Sequence, residues 1–510
     1  MPSLAGSRIP LFKVKVQEKG SIRDIKEMIV RIDGLPSCMN GQIVTLGENV
    51  KGIIMGFDEQ SVLALALGDH GRLRLGQEVT GISEEFRIPV GERLLGRMVS
   101  ALGERCDQGA DIEPDAFLPV LRDSVPMTGR TPLSGFLSTG TKVVDMLFPL
   151  AKGQRELLLG DRMTGKTAVA VDAILNQKGR DVVCIYCCIG KSVSGLQKVL
   201  TVLRESGALE YTAIAAATDN APVGEQYLVP FSAAAMGEYF VSKGRDVLVV
   251  LDDLTKHAWA YRQLSLLMDR PPGREAYPGD VFYVQTQLME RAGSFTEAHG
   301  GGSMTFLGIA ETLQGDMTGY IPSNLASMCD GQVYFSSSIF AEGHRPAVDL
   351  SLSISIVGGR VQPALLKELS RGLAADYARY GEVVKLSRVS AGLSGESERI
   401  VRRGEVIRTM LAQDQNRPAS VTESALLLSA IHTGILEPLT DSQRAQFRDG
   451  IYAYTSQREE GLIADLEASD GWTDELRQRV RDVSSAFLRD LGVGGAGDIA
   501  ASAKRAGTTA

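Results

Sequence analysis

The stretch Gly160-Asp161-Arg162-Met163-Thr164-Gly165-Lys166-Thr167 constrains this chain more than any other. It fits G-x-x-x-x-G-K-[ST], a pattern whose chemistry needs a strand before it and a helix after it. Arg155 to Leu159 reads as a short buried strand, and Ala168 to Asn176 reads as a helix. In that setting the backbone N–H groups of the loop and of the helix N-terminus point at an anion. Lys166 is then placed to reach the β- and γ-phosphates of a nucleoside triphosphate, and Thr167 to hold Mg²⁺. The glycines let the backbone approach the phosphates without a Cβ clash. The bland alternative is a Gly-rich turn that matches by accident, and the strand–loop–helix context argues against it.

A second signal lies further along. Val247-Leu248-Val249-Val250-Leu251-Asp252-Asp253 is a hydrophobic run that ends in two carboxylates. An acid at the C-terminal end of such a strand orders the magnesium shell beside a P-loop, which is the role expected of Asp252. Asp253 is expected to cap the helix that follows. Hydrolysis also needs a group that orients or deprotonates the attacking water. The expected place is the C-terminal end of the strand beside the P-loop strand, at Cys187-Cys188-Ile189-Gly190-Lys191. A lysine with an ordinary pKa of ~10.4 is protonated at neutral pH and cannot act as the base without strong burial. Lys191 is suited instead to counter phosphate charge. The residues favour nucleotide binding over catalysis.

Three textures divide the 510 residues. After an N-terminal arm over 1–24, residues 25–91 show short apolar alternations broken by Gly and Asp, which suggests a small β-barrel or sandwich. Over 92–366, buried strands alternate with helices, the mark of an α/β domain built on a mostly parallel sheet. Expected strands are Glu156–Leu159, Val182–Ile189, Thr212–Ala217, Val247–Leu251, Ser303–Ile309 and Gln332–Phe335. Over 367–490 the strands disappear and amphipathic helices are expected at Leu365–Leu386, Glu396–Leu411, Val421–Gly434, Asp441–Ser456 and Trp472–Asp490. The Gly/Ala/Ser-rich tail over 491–510 lacks core-forming residues and is expected to be disordered.

Composition narrows the function classes. Hydrophobic residues make up 44% and charged residues 23%, as in an ordinary globular protein with ample core. A net charge of −8 does not suggest a dedicated nucleic-acid binder. No apolar run reaches the roughly 18 residues of a membrane span, and Met1 to Lys13 lacks a signal-peptide core. A cytoplasmic protein is the expectation. Cys184-Ile185-Tyr186-Cys187-Cys188 contains C-x-x-C, but it lies in an apolar run with no second ligand pair at zinc spacing, so buried strand thiols are expected. His257, His299 and His344 sit near the nucleotide motifs without ligand spacing and are assigned no chemical role.

The motifs together resemble a known family. Gly153-Gln154-Arg155-Glu156-Leu157, the loop Gly160–Thr167, Asp252-Asp253-Leu254 with Lys256, Ala260-Tyr261-Arg262-Gln263, Pro271–Asp280, Gly319–Asn324 and Arg345-Pro346-Ala347 are similar to alpha subunits of F-type ATP synthases. The likeness runs from about residue 25 to about 485, and the Pro271–Asp280 run separates alpha subunits from catalytic beta subunits and from export ATPases. The resemblance implies an N-terminal β-barrel, a central RecA-like nucleotide domain and a C-terminal helical bundle. It implies a regulatory subunit that binds Mg-ATP without turning it over. By the same resemblance the subunit is expected to alternate with beta subunits in a hexamer around a gamma stalk, with delta and b in a peripheral stalk. The complex it implies couples proton or sodium transport to ATP synthesis or hydrolysis on the cytoplasmic side of a membrane. Carried over by residue, Gly160, Asp161, Arg162, Met163, Thr164, Gly165, Lys166 and Thr167 form the nucleotide loop. Thr167 and Asp252 serve magnesium, Arg345 and Pro346 line the pocket, and Gln413 and Gln415 lie against the base.

The departures from the family pattern matter as much. Lys191 stands where alpha subunits usually have glutamine and beta subunits their water-activating glutamate. The segment Leu352-Ser353-Ile354-Ser355-Ile356-Val357-Gly358 carries Ile356 where alpha subunits present an arginine finger to the neighbouring beta site. Such a finger contributes roughly 10³–10⁵ in rate in other phosphoryl-transfer enzymes. Arg360 lies four residues on and is the candidate replacement, with Ser353 a further candidate at the interface. Met163 replaces a glutamine in the loop. Pro2, Pro10 and Gly20 depart from the helix that docks the peripheral stalk. Two alternatives stay open: an assembly paralogue that binds nucleotide without supporting catalysis, and a self-sufficient export-type ATPase.

Overall fold

From Gln17 to Glu85, apolar and polar side chains alternate, and a period of two turns one face of each strand inward. In the computed structural model, which describes residues 17–493 except 49, 59, 69 and 388–394, six antiparallel strands result. They are β1 (Gln17–Lys26), β2 (Ile29–Asp33), β3 (Gln42–Leu46), β4 (Val50–Phe57), β5 (Val62–Leu67) and β6 (Glu78–Glu85). They pair in the order β1-β2-β5-β4-β3-β6 and close through β6 on β1, with Ser21 opposite Glu78. Closure selects a barrel over a sandwich and leaves no unpaired edge. Val30, Ile32, Val44, Leu46, Ile54, Ala64 and Val79 fill its interior. The barrel starts at Gln17, so residues 17–24 belong to it and not to an arm. Their strand is hidden in the sequence because only Ile22 of β1 is buried. The rest of the expected arm, 1–16, and the expected disordered tail from 494 lie outside the described residues.

The central sheet contains β7 (Arg155–Gly160), β8 (Val182–Ile189), β9 (Thr212–Ala217), β10 (Asp246–Asp252), β11 (Ser303–Glu311), β12 (Gly331–Phe335) and β13 (Ile354–Ser355). Their order is β13-β12-β7-β11-β10-β8-β9, with Met98–Val99 on the far edge. All pairs among β7–β12 are parallel, and β13 runs antiparallel to β12. Helices cover both faces, which is why β8 is buried at every position and reads as an unbroken apolar run. Cys184, Cys187 and Cys188 are free, buried thiols within it. The expectation of β8 beside β7 is corrected here: β11 and β10 lie between them. Crossovers in open α/β sheets skip positions that later strands fill, and local periodicity does not record the skip.

The C-terminal part is helical: Ala364–Ser370, Leu373–Ser387, Gly395–Leu411, Val421–Thr433, Asp441–Arg458, Glu460–Ala468 and Asp474–Asp490. The single helix expected over 365–386 breaks at Gly372, whose φ of 82° a glycine tolerates. Glu460–Ala468 is an additional helix, only nine residues long, that buries Leu462 and Leu466. Thr440 and Gln443 form a reciprocal capping box that starts the helix before it. Among the described residues, no helix is long and apolar enough to cross a membrane.

Candidate nucleotide site

The loop after β7 is shaped by one contact that excludes side chains. A Cβ on Gly160 meets the Phe335 carbonyl oxygen of β12 at 2.2 Å, so only glycine fits. The backbone then turns through Met163 (φ 63°) and Gly165 (φ 102°) into the helix Lys166–Leu175. That helix has no side-chain cap at Gly165, so its first N–H groups remain for an anion. Lys166 is buried, and burial lowers its pKa. Its Nζ donates to the carbonyls of Gly160 (2.7 Å) and Asp161 (2.5 Å), which holds the side chain across the loop. Arg162 is exposed and lies 3.4 Å from Glu311. Met163 crests the loop at 90% exposure.

Two residues expected in the nucleotide set act as braces. Thr164 Oγ1 donates to the Asp161 carbonyl (2.8 Å). Asp161 Oδ1 accepts from Thr312 Oγ1 (2.6 Å) and from the Gly315 N–H (2.8 Å). Their side chains fix the loop's shape and leave ligand contact to the backbone.

The loop divides two cavities that share Met163, Thr164, Gly165 and Ala168. One, of ≈ 550 Å³, is lined by Arg162, Lys166, Thr167, Lys191, Asp252 and Glu311 among others. The other, of ≈ 600 Å³, is lined by Thr141, Val169, Phe340, Pro346 and Gln415 among others. A half where Arg162, Lys166 and Lys191 stand beside the carboxylates of Asp252 and Glu311, joined to a half with aromatic and aliphatic wall groups, suits the phosphates and the base of a nucleotide. Arg345 borders the second cavity but is held by Phe340 and His344 carbonyls (2.7 and 2.8 Å) and stacks on the Phe340 ring. Gln413 is already occupied. It accepts from the Lys142 N–H (2.8 Å) and donates to the carbonyls of Gly140 (2.7 Å) and Arg417 (2.9 Å). It therefore shapes the pocket wall, while the exposed Gln415 is the amide left to meet a base. Asp172 and Phe340 join the pocket without a sequence motif to announce them. Asp172 accepts from the Asn416 N–H (2.8 Å), and burial raises its pKa to about 7. A lone carboxylate in an otherwise apolar helix is the signal that marks it.

Thr167 and Asp252 do converge. Thr167 Oγ1 donates to Asp252 Oδ2 at 2.9 Å, and Tyr186 donates to the same oxygen at 2.8 Å. Lys191 Nζ reaches both groups, 2.9 Å from Thr167 Oγ1 and 2.5 Å from Asp252 Oδ2. This pair is where magnesium is expected, and the arrangement does not fit it. Asp252 Oδ2 already accepts three hydrogen bonds, and a divalent ion there would face an ammonium at contact distance. Behind the pair, Asp253 Oδ1 caps the helix Leu254–Leu267 by accepting from the Lys256 N–H (2.7 Å). Burial, together with the charges of Asp252 and Glu311, raises its pKa to about 7.

The segment after β12 faces outward. Ile356 is 71% exposed, and Leu352 and Ile354 are exposed beside it. Ser353 is not available at a surface. It is buried, donates to the Asp349 carbonyl (2.6 Å) and accepts from the Tyr334 N–H (2.9 Å). Arg360 is exposed at the end of a single turn, Gly358–Arg360.

Comparison with known proteins agrees with this geometry from the barrel to the last helix. Residues 140–355 match the model of the ATP synthase alpha/beta family nucleotide-binding domain. Residues 15–82 match the beta-barrel domain of the same family, and residues 362–487 match its C-terminal domain. The protein is 39% identical over 478 residues to an ATP synthase subunit alpha of Petrotoga mobilis, with 93% of this sequence and 95% of the relative aligned. It is 40% identical over 480 residues to an ATP synthase subunit alpha 1 of Shewanella frigidimarina, with 93% of each aligned. A subunit alpha of Clostridium acetobutylicum is 38% identical over 484 residues, 94% of this sequence and 95% of the relative.

Proposed function

The chain belongs to the ATP synthase alpha subunit family, and from that membership we propose that it is a nucleotide-binding subunit that does not itself hydrolyse ATP. One observation carries the reading. Lys191, at the C-terminal end of β8, places an ammonium on Asp252 where hydrolysis needs a base. The loop around Lys166 keeps what binding needs: helix N–H groups with no side-chain cap, a buried cation and a crevice of nucleotide size. Magnesium expected between Thr167 and Asp252 competes there with Lys191.

In this reading the protein alternates with beta subunits around a gamma stalk, peripheral to a membrane, in a machine that couples proton or sodium movement to ATP. The exposed apolar side chains of Leu352, Ile354 and Ile356 suit a subunit interface better than open solvent. Pro2 and Pro10, which speak against the usual docking of delta and b at the N-terminus, lie outside the described residues. A second reading rests on Ile356 alone: a paralogue that assembles and binds nucleotide but leaves the neighbouring site without its arginine. Coexpression with a beta subunit and native mass spectrometry test the subunit role. Equal numbers of the two subunits in one ring are expected. A ring of this protein alone that hydrolyses ATP would establish the export-type alternative instead.

A further inference from the structure

A P-loop usually shares a divalent ion between its hydroxyl and the acid of a neighbouring strand, and here both groups are claimed by a side chain of this protein. We propose that Lys191 serves as a built-in counter-cation, so that the crevice takes nucleoside di- and triphosphates free of divalent metal. The inference rests on the crevice being a nucleotide site.

Three features support it. The ammonium binds the two groups a metal would share, Thr167 Oγ1 at 2.9 Å and Asp252 Oδ2 at 2.5 Å. Asp252 Oδ2, the oxygen that faces Thr167, also accepts from Tyr186 and Thr167, so a metal or its water shell takes this oxygen only by displacing one of three donors. An ammonium has three N–H donors. Two are spent on Thr167 and Asp252, and the third is free for a phosphate oxygen in the cavity that Lys191 lines together with Lys166 and Gly165. The charge that a metal brings to the β- and γ-phosphates then comes from Lys191 and Lys166, both fixed in place before the ligand arrives. Asp252 loses its role as a metal acid and becomes the anchor that aims Lys191. A neutral glutamine at 191 would leave Thr167 and Asp252 to a metal.

The test is ATP binding to the full-length protein by calorimetry, with Mg²⁺ and with excess EDTA. Wild-type affinity should change by less than about threefold on metal removal, and that of Lys191→Gln should fall by about tenfold or more. Without nucleotide, Mn²⁺ counted by electron paramagnetic resonance should bind Lys191→Gln and not the wild type. A wild-type affinity that falls tenfold in EDTA overturns the inference while leaving the nucleotide site standing, and the wild-type arm decides this whether or not the variant folds. Failure of ATP to bind under either condition overturns the nucleotide reading and this inference with it.

Discussion

Ile356→Arg should raise the turnover of a complex with a beta subunit by at least about tenfold, or about 1.4 kcal/mol of barrier. Ile356 is 71% exposed and its N–H is held by the Asp330 carbonyl at 3.0 Å. The backbone is held by that bond while the side chain projects from this subunit's own surface, so a longer side chain fits without disturbing the subunit's core. In the proposed ring an arginine there would supply positive charge where charge develops in phosphoryl transfer, whereas isoleucine supplies none. The gain belongs in kcat, with ATP affinity at the beta site changing much less, because the finger acts on the transition state. Arg360→Ala is the companion measurement. If Arg360 has taken over the role, the parent complex is fast, Arg360→Ala cripples it and Ile356→Arg adds little. If neither substitution moves the rate, the segment delivers no transition-state charge.

Lys166→Ala should weaken ATP binding to the protein by about 1.5–3 kcal/mol, the usual size of a lost charge-assisted hydrogen bond. That corresponds to a Kd raised roughly 10- to 150-fold. In the free protein the ammonium also bonds the Gly160 and Asp161 carbonyls, so the substitution loosens the loop as well. A thermal melt run beside the titration separates the two effects. An unchanged melt with weakened binding assigns the loss to the phosphate contact. Unchanged affinity would show that Lys166 is not the phosphate lysine.

What was legible in the sequence was local. The P-loop announces itself because strand, glycines, lysine and helix are contiguous, and Asp253 because a cap precedes its helix. The three-part architecture could be read because strand and helix periods differ. What escaped depends on residues far apart in the sequence. Two strands from later positions separate β8 from β7, and no periodicity encodes that. Lys191 nonetheless reaches Thr167, because β8 lies beside β10 and brings position 191 to Asp252. Gln413 looks like a base contact by motif, yet its amide is spent on Lys142, Gly140 and Arg417. Ser353 lies next to an exposed residue in sequence but points inward, as alternation along an extended segment requires.

In the proposed reading, Lys191 also accounts for binding without catalysis in one crevice. The same ammonium that replaces metal charge stands in the place of a base, so a gain for holding phosphate is a loss for activating water. Both consequences follow from a single ion pair on Asp252, which is itself almost fully buried.

The most direct measurement puts both halves of this statement on one sample: the isolated subunit is incubated with ATP while bound nucleotide and released phosphate are counted together. ATP bound with phosphate release far below the ~1 s⁻¹ scale of ordinary enzymes is the expected result. Steady release at or above that rate would contradict a site built to hold nucleotide without hydrolysing it.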